Sequence, residues 1–162
     1  MKTLWTPWRM EYITGSASRP TGCPFCTPDG VTHDRDTLLL YQDAGVAVFL
    51  NRFPYANGHL LVAPSRHLAD LTELTDQEHT AIAAMLPRCV TILRRRLAPD
   101  GLNIGLNIGE TAGAGVADHL HWHIVPRWAG DHNYLTVLAE VRTIPEHIQE
   151  TYERLLPEFL NP

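Results

Sequence analysis

Three histidines alternate with apolar residues in the last third of the chain, in the run His119-Leu120-His121-Trp122-His123. Successive side chains of a strand point to opposite faces, so a strand here would place three imidazoles on one face over ~13 Å. The apolar residues between them would then point into the core. A histidine-rich strand edge that merely faces solvent is the alternative, but a glycine-containing loop just upstream independently favours a phosphate site.

The middle histidine, His121, is the candidate nucleophile. An imidazole can attack phosphorus when it is held in one tautomer, with one nitrogen donating to a carbonyl and the other carrying a free lone pair. His119 and His123 on either side would then stabilise charge and protonate the leaving phosphate. Zinc binding is the competing interpretation, since two histidines at i and i+2 on a strand can reach one ion; a catalytic zinc would need a third ligand and an open position.

The loop before the histidines contains Gly109, Gly113 and Gly115. Glycines let backbone amides approach an anion closely, as loops that bind phosphate require. A glycine-rich loop is a weak signal by itself. Together with the alternating histidines it favours chemistry at a phosphate.

A second cluster of reactive side chains is the pair Cys23 and Cys26, separated by two residues. Two thiolates at this spacing chelate one metal ion readily, but a closed zinc site needs two more ligands. Reduced, metal-free cysteines are the alternative. Cys89, the third cysteine, lies among apolar residues of a predicted helix and is expected in the core.

The strands and helices that must position these residues follow from hydrophobic patterning. The predicted strands cover residues 38–42, 46–50, 59–63, 102–107 and 120–125. Thr75, with Glu78 three residues later, predicts a capped helix that runs to about Leu97, and Pro87 should kink or divide it. A final helix is predicted over 145–156. This order is typical of an α+β domain with a mainly antiparallel sheet.

Composition limits the classes of protein that fit. A chain of 162 residues with 44% hydrophobic content predicts one domain, spanning 1–162, with residues 1–22 as an extended arm. The chain has no apolar run of membrane-spanning length, and its first residues lack a signal peptide's apolar stretch. A net charge of -5 argues against a nucleic-acid or membrane partner. We expect a cytoplasmic protein, and the cysteine usage fits a reducing compartment.

These motifs resemble those of the histidine-triad (HIT) family, whose hallmark is His-x-His-x-His followed by two apolar residues. The resemblance covers most of the chain, with matching segments at residues 4–9, 23–26, 49–55, 58–62, 113–115, 126–128, 130–131 and 133. It is strongest toward the bacterial branch related to diadenosine tetraphosphate phosphorylases, which has the arm, the Asn-Arg-aromatic-Pro-Tyr loop and the Pro-Arg-Trp segment. It implies a HIT-like α+β fold.

The resemblance also implies roles for individual residues. His121 would carry the nucleotidyl group as a phosphoramidate, His123 would contact the phosphate or leaving group, and His119 would lie beside the site. His59 would lie beneath the nucleophile and orient it. The implied nucleotide-binding residues are Asn51 for the ribose hydroxyls, Asn107, Gly113, Ala114 and Gly115 for the phosphates, and Phe25, Phe49 and Leu61 for the base. Plain core packing is the alternative for these last three.

One difference from the family limits this transfer of roles. Many family members have a serine where this chain has Gly115, so a hydroxyl contact to phosphate is missing here.

Phosphate charge could be neutralised by one of three arginines: Arg52, Arg66 or Arg127. The alternative for each is a solvated surface position.

The resemblance completes the metal site and names the reaction. Several family members add two histidines to the cysteine pair; here the zinc ligands would be Cys23, Cys26, His67 and His119. No organic cofactor is implied. The implied partners are adenine nucleotides or dinucleoside polyphosphates, phosphate, and a second copy of the chain in a homodimer or larger assembly. The implied reaction is phosphorolysis of diadenosine tetraphosphate to ADP and ATP, with a water-dependent hydrolase or phosphoramidase and a low-turnover nucleotide-binding module as alternatives.

Overall fold

A computed structural model describes residues 22–28, 30–131 and 146–160. Residues 1–21 of the predicted arm, and Pro145 at the predicted start of the last helix, lie outside the described residues. Across the described ranges, no helix combines the length and the apolar character needed to cross a membrane.

The described residues form one five-stranded antiparallel sheet and two helices. In chain order these are β1 (Leu39–Gln42), β2 (Val46–Leu50), β3 (Leu60–Pro64), α1 (Asp76–Leu97), β4 (Gly101–Leu106), β5 (Trp122–Arg127) and α2 (Ile148–Leu160). The strands lie in the order β1-β2-β3-β5-β4, and every neighbouring pair is antiparallel. The α+β prediction is confirmed.

The two faces of the sheet bury different sets of side chains. Alternate residues of β2 and β3 (Val46, Val48 and Leu50; Leu60 and Val62) join the main core with residues of both helices. The residues between them (Ala47 and Phe49; Leu61 and Ala63) form a smaller cluster with Phe25. In β5, Ile124 belongs to the main core and Trp122 packs against it. His121 and His123 therefore lie on the face opposite the helices.

The N-terminus of helix α1 has the capping box that the sequence predicts. The Thr75 side chain accepts from the Glu78 amide, and the Glu78 carboxylate accepts from the Thr75 amide at 2.8 Å. The helix is undivided at Pro87, contrary to the alternative in which proline splits it. Pro87 and Ala83, whose carbonyl loses its partner, are both exposed, so water can satisfy that carbonyl.

Two elements begin later than predicted. Strand β5 starts at Trp122 rather than Leu120, because the Leu120 amide donates to the Leu68 carbonyl at 2.7 Å and not to the strand ladder. Helix α2 starts at Ile148 and continues to Leu160. Glu146 stands just before it and accepts a hydrogen bond from Thr151 in its first turn.

Candidate active site and metal centre

His121 lies just before β5 and is 4% exposed. Its Nδ1 lies 2.8 Å from the His119 carbonyl oxygen. A carbonyl only accepts, so Nδ1 must carry a proton and the neutral ring keeps its lone pair on Nε2. Burial lowers the pKa of His121, partly opposed by that hydrogen bond. The ring thus has the tautomer that a nucleophilic imidazole requires.

A chain of hydrogen bonds fixes the tautomers of two further histidines. The Tyr55 amide donates to His59 Nδ1 at 3.1 Å, and His59 Nε2 lies 3.0 Å from His123 Nδ1. A backbone amide only donates, so His59 carries its proton on Nε2, and this N–H donates a hydrogen bond to His123 Nδ1. The proton of neutral His123 must then sit on Nε2. That atom is buried and has no hydrogen-bond partner among the described residues.

His59 and His123 are both neutral near pH 7. Burial, followed by the neighbouring His123 and His121, lowers the pKa of His59 to about 3. Burial, followed by His121, lowers the pKa of His123 to about 4. The His121 and His123 rings are 5.0 Å apart between centroids. One bare nitrogen and one unpartnered N–H donor therefore sit on adjacent rings.

The residues expected around a nucleotide take different positions. Asn51 is half-buried; its oxygen accepts from the Phe53 amide at 3.0 Å, and its amide nitrogen lies 3.2 Å from His59 Nδ1. Asn107 donates to the Gly113 carbonyl at 3.4 Å. The amides of Gly113 and Ala114 donate to carbonyls of their own loop, at 2.9 and 3.3 Å. The loop before the histidines thus folds on itself through a 3₁₀ turn, Glu110–Ala112, and Gly115 is exposed.

The three residues expected around the base all lie in the smaller apolar cluster. Phe25, Phe49 and Leu61 are 5%, 3% and 7% exposed. The Phe25 ring lies 4.8 Å from the His121 ring and 5.4 Å from the Phe49 ring between centroids. Leu61 is paired directly with His123 across β3 and β5. The structure therefore brings this cluster against the histidines, while the three side chains also serve as packing.

His119 points away from the other two histidines and toward the cysteines. Its Nδ1 lies 3.2 Å from Cys23 Sγ and 3.7 Å from Cys26 Sγ, and His67 Nδ1 lies 3.3 Å from Cys26 Sγ. The four candidate ligand atoms lie within 4.8 Å of one another. A tetrahedral zinc with ordinary Zn–S and Zn–N bonds separates a sulfur from a nitrogen by about 3.5 Å. The observed spacings fit such an ion.

The hydrogen bonding of His119 also suits a metal ligand. Its Nε2 lies 2.9 Å from the Pro64 carbonyl oxygen, so Nε2 carries the proton and Nδ1 presents a bare lone pair to the cysteines. Burial raises the pKa of the Cys23 thiol to about 11. Metal binding there would displace a proton and become weaker as pH falls.

The three candidate arginines are engaged elsewhere. Arg66 makes two hydrogen bonds of 2.9 Å to the buried Glu78 carboxylate. Arg127 pairs with Asp131, and Arg52 donates to the Asp36 carbonyl.

Two residues beside the histidines were missed by sequence reasoning. Tyr55 supplies the amide on His59, and its ring lies nearly parallel to that of His123, with centroids 5.9 Å apart. Gly105 of β4 is paired directly with His123, and a Cβ there would meet nothing within 4 Å. The sequence gives no signal for either contact, because one uses a backbone group and the other the absence of a side chain.

Comparison with known proteins gives the family. The HIT domain matches residues 32–130. AP-4-A phosphorylase of Mycobacterium tuberculosis H37Rv is 34% identical over 166 residues, covering 98% of this chain and 85% of that protein. A crystal structure of a Zn-bound histidine triad family protein from Mycobacterium smegmatis superposes with a TM-score of 0.61 at 31% identity, over 76% of this chain and 84% of that one.

A histidine triad nucleotide-binding protein from Sulfolobus tokodaii, described as hypothetical, gives a TM-score of 0.62 at 26% identity, over 76% of this chain and 84% of that one. The domain match covers more than half of the sequence, and the relative aligns with nearly the whole of this chain. With this sheet topology, the chain belongs to the HIT family.

Proposed function

We propose that this protein is a dinucleoside polyphosphate phosphorylase in which His121 is the nucleophile. The proposal rests on the two forced tautomers: a bare Nε2 on His121 beside an unpartnered N–H on His123. The AP-4-A phosphorylase relative favours diadenosine tetraphosphate as substrate. Asn51, Asn107, Gly113, Ala114 and Gly115 are the proposed ribose and phosphate contacts, and Phe25, Phe49 and Leu61 the proposed surroundings of the base.

The first step transfers the adenylyl group to the protein. The His121 Nε2 lone pair attacks the α-phosphorus, a P–N bond forms, and the bond to the bridging oxygen breaks to release ATP. The positive charge that develops on the ring is stabilised by the His119 carbonyl, which accepts from Nδ1. His123 Nε2–H donates a hydrogen bond to the leaving oxygen. It need not transfer its proton, since a polyphosphate leaves readily as an anion.

The second step releases the nucleotide. Inorganic phosphate attacks the phosphoramidate, the P–N bond breaks, His121 Nε2 regains its lone pair, and ADP leaves. Water in place of phosphate would give AMP by the same route.

Product analysis tests this mechanism. Wild type, His121→Ala, His123→Gln and the exposed-site control His79→Ala are incubated with diadenosine tetraphosphate, with and without phosphate. We expect phosphate-dependent ADP and ATP from wild type and His79→Ala, and loss of product with His121→Ala, since removal of a nucleophile typically costs at least ~10⁴-fold in kcat. AMP and ATP without phosphate would indicate a hydrolase. Undiminished turnover by His121→Ala would refute the nucleophile assignment, and intact nucleotide with wild type would indicate a binding module.

We further propose that Cys23, Cys26, His67 and His119 hold a structural zinc ion. When bound, the ion would join the segment before β1 to the loop after β3 and to the segment just before β5, which carries His119 and His121. Metal analysis of protein purified without added metal should find one zinc per chain. Chelation should lower thermal stability. If the zinc were instead catalytic, chelation would abolish activity while leaving the melting temperature unchanged.

We also propose that the protein forms a homodimer through β4 and acts in the cytoplasm. Among the described residues, β4 is the edge strand of the sheet. Ile104 within β4 and Ile108 just after it are 49% and 44% exposed. Exposed apolar edges favour pairing with a second chain. Ile104→Lys should halve the mass measured by light scattering.

The proposed cytoplasmic location rests on the cysteines. All three are free, which suits a reducing compartment.

A further inference from the structure

Helix α2 contacts the loop between β2 and β3, residues 51–59, through a polar cluster. Thr151 of α2, which is 1% exposed, has its hydroxyl 2.9 Å from Asn57 Oδ1 and 2.7 Å from Glu146 Oε2. Asn57 Nδ2 donates to the same Glu146 carboxylate at 2.9 Å. Arg154 of α2 forms an ion pair with the other carboxylate oxygen. Asn57, Glu146 and Thr151, here termed the anchor cluster, therefore form one connected set of polar groups. The single Thr151 hydroxyl proton is shared between the two acceptors, Asn57 Oδ1 and Glu146 Oε2.

The Glu146 carboxylate is ionised in this arrangement. Burial raises the pKa of Glu146, but donation from Asn57 and Thr151 and the charge of Arg154 together lower it below its ordinary value. An ionised carboxylate only accepts, so it orients the Asn57 amide with its nitrogen toward Glu146 and its oxygen toward Thr151. Hydrogen bonds to a charged group are stronger than neutral ones, which makes this an effective anchor.

The loop held by the anchor cluster carries both donors to His59. Asn51 begins the loop, and its amide nitrogen lies 3.2 Å from His59 Nδ1. The Tyr55 amide, two residues before Asn57, lies 3.1 Å from the same atom. The loop closes through a hydrogen bond of 2.8 Å from the Asn51 amide to the His59 carbonyl. Displacement of this loop would free His59 Nδ1 to accept or to donate.

We propose that Asn57, Glu146 and Thr151 are positioning residues that set the tautomer of His59 and, through it, that of His123. With the loop anchored, His59 Nδ1 accepts, Nε2 donates to His123 Nδ1, and His123 presents its N–H at the free nitrogen. With the loop released, both rings exchange between tautomers, and His123 presents a donor for only part of the time. The catalytic consequence rests on the proposed function, whereas the tautomer assignment does not.

Long-range ¹H–¹⁵N correlation of ¹⁵N-labelled protein at neutral pH tests this inference directly. The spectrum reports protonation at each ring nitrogen, and His59→Gln and His123→Gln variants assign the signals. In wild type we expect widely separated Nδ1 and Nε2 shifts for both rings. In Asn57→Ala the two shifts of each ring should converge, and in Thr151→Val they should move in the same direction.

Matched variants separate positioning from general loosening of the structure. Thr151→Ser keeps the hydroxyl and should restore the wild-type pattern. Glu153→Gln removes a 2.9 Å ion pair between α2 and Arg35 that does not involve the loop, so it should leave both rings unchanged. Unshifted ring nitrogens in a folded Asn57→Ala protein would overturn the proposal. If Asn57→Ala fails to fold, an unshifted Thr151→Val spectrum would overturn it equally.

Activity then provides a separate readout. If wild type turns over diadenosine tetraphosphate, Asn57→Ala should lower kcat more than it raises KM, because the His123 donor acts on the leaving oxygen. If wild type shows no turnover but its spectra behave as expected, the proposed function fails and the positioning role stands.

Discussion

The buried His59 should make the free energy of unfolding depend on pH between about pH 7.5 and 5. His59 is 0% exposed, and burial lowers its pKa to about 3 from an ordinary value of 6.5. In the unfolded chain the same ring protonates as pH falls through about 6.5, whereas in the folded protein it stays neutral. The unfolded state therefore binds the extra proton, and stability is lost as pH falls below the unfolded pKa.

The magnitude follows from the two pKa values. At about pH 5 the unfolded ring is almost fully protonated and the folded ring almost fully neutral, a difference worth RT ln(10^1.5), or about 2 kcal/mol. At about pH 7.5 the term is close to zero. Other buried histidines add to the wild-type total, so the contribution of His59 is isolated by comparing variants.

Urea denaturation of wild type, His59→Gln and His79→Gln at both pH values measures this term. Glutamine supplies an acceptor and a donor but does not titrate, so the stability lost on acidification should be about 2 kcal/mol smaller in His59→Gln than in wild type. His79 is exposed, and His79→Gln should show the wild-type loss. Equal losses in wild type and His59→Gln would mean that His59 is protonated in the folded protein, and the tautomer chain would then be wrong.

Three further predictions concern single residues. Gly58 has φ +71, and a Cβ there would lie 2.2 Å from Leu97 Cδ1. Gly58→Ala should therefore lower the unfolding free energy by about 2–4 kcal/mol. Calorimetry measures this change, and an unfolding free energy equal to that of wild type within error would contradict the packing. Gly105→Val should keep the wild-type melting temperature, because a Cβ at this position meets nothing within 4 Å. It should nevertheless lower kcat/KM by at least ~10-fold, because the new side chain fills the space beside His123. Undiminished turnover would place the substrate elsewhere. A chelator should lower the melting temperature of wild type but not of Cys26→Ser, which loses a zinc ligand; an equal response of both proteins would argue against this metal site.

Local patterns predicted most of the fold. Alternation in β2 and β3 assigned side chains to two faces, and both strands lie within a residue of their predicted positions. The Thr75 and Glu78 capping box located the start of α1. These predictions succeed because strand alternation and helix capping depend on residues a few positions apart.

The start of β5 could not be predicted in the same way. Alternation suggested that three histidines share one strand face, but the Leu120 amide bonds to Leu68, about 50 residues away in sequence. That contact takes His119 out of the strand ladder and turns its ring toward the cysteine pair. Alternation alone did not separate His119 from the other two histidines. The docking of the loop after β3 against this segment brings the His119 ring to the candidate metal ligands, the role that the family resemblance implied.

The sequence by itself determined which chemistry was available: three imidazoles that alternate with apolar residues, and a pair of cysteines. The tertiary structure decided which ring nitrogen of each imidazole carries the proton and which carries the lone pair. That choice depends on the Pro64 and His119 carbonyls and on the Tyr55 amide. Every residue type offers such backbone groups, so they leave no pattern in the sequence, and only folding places a particular donor or acceptor against a particular ring.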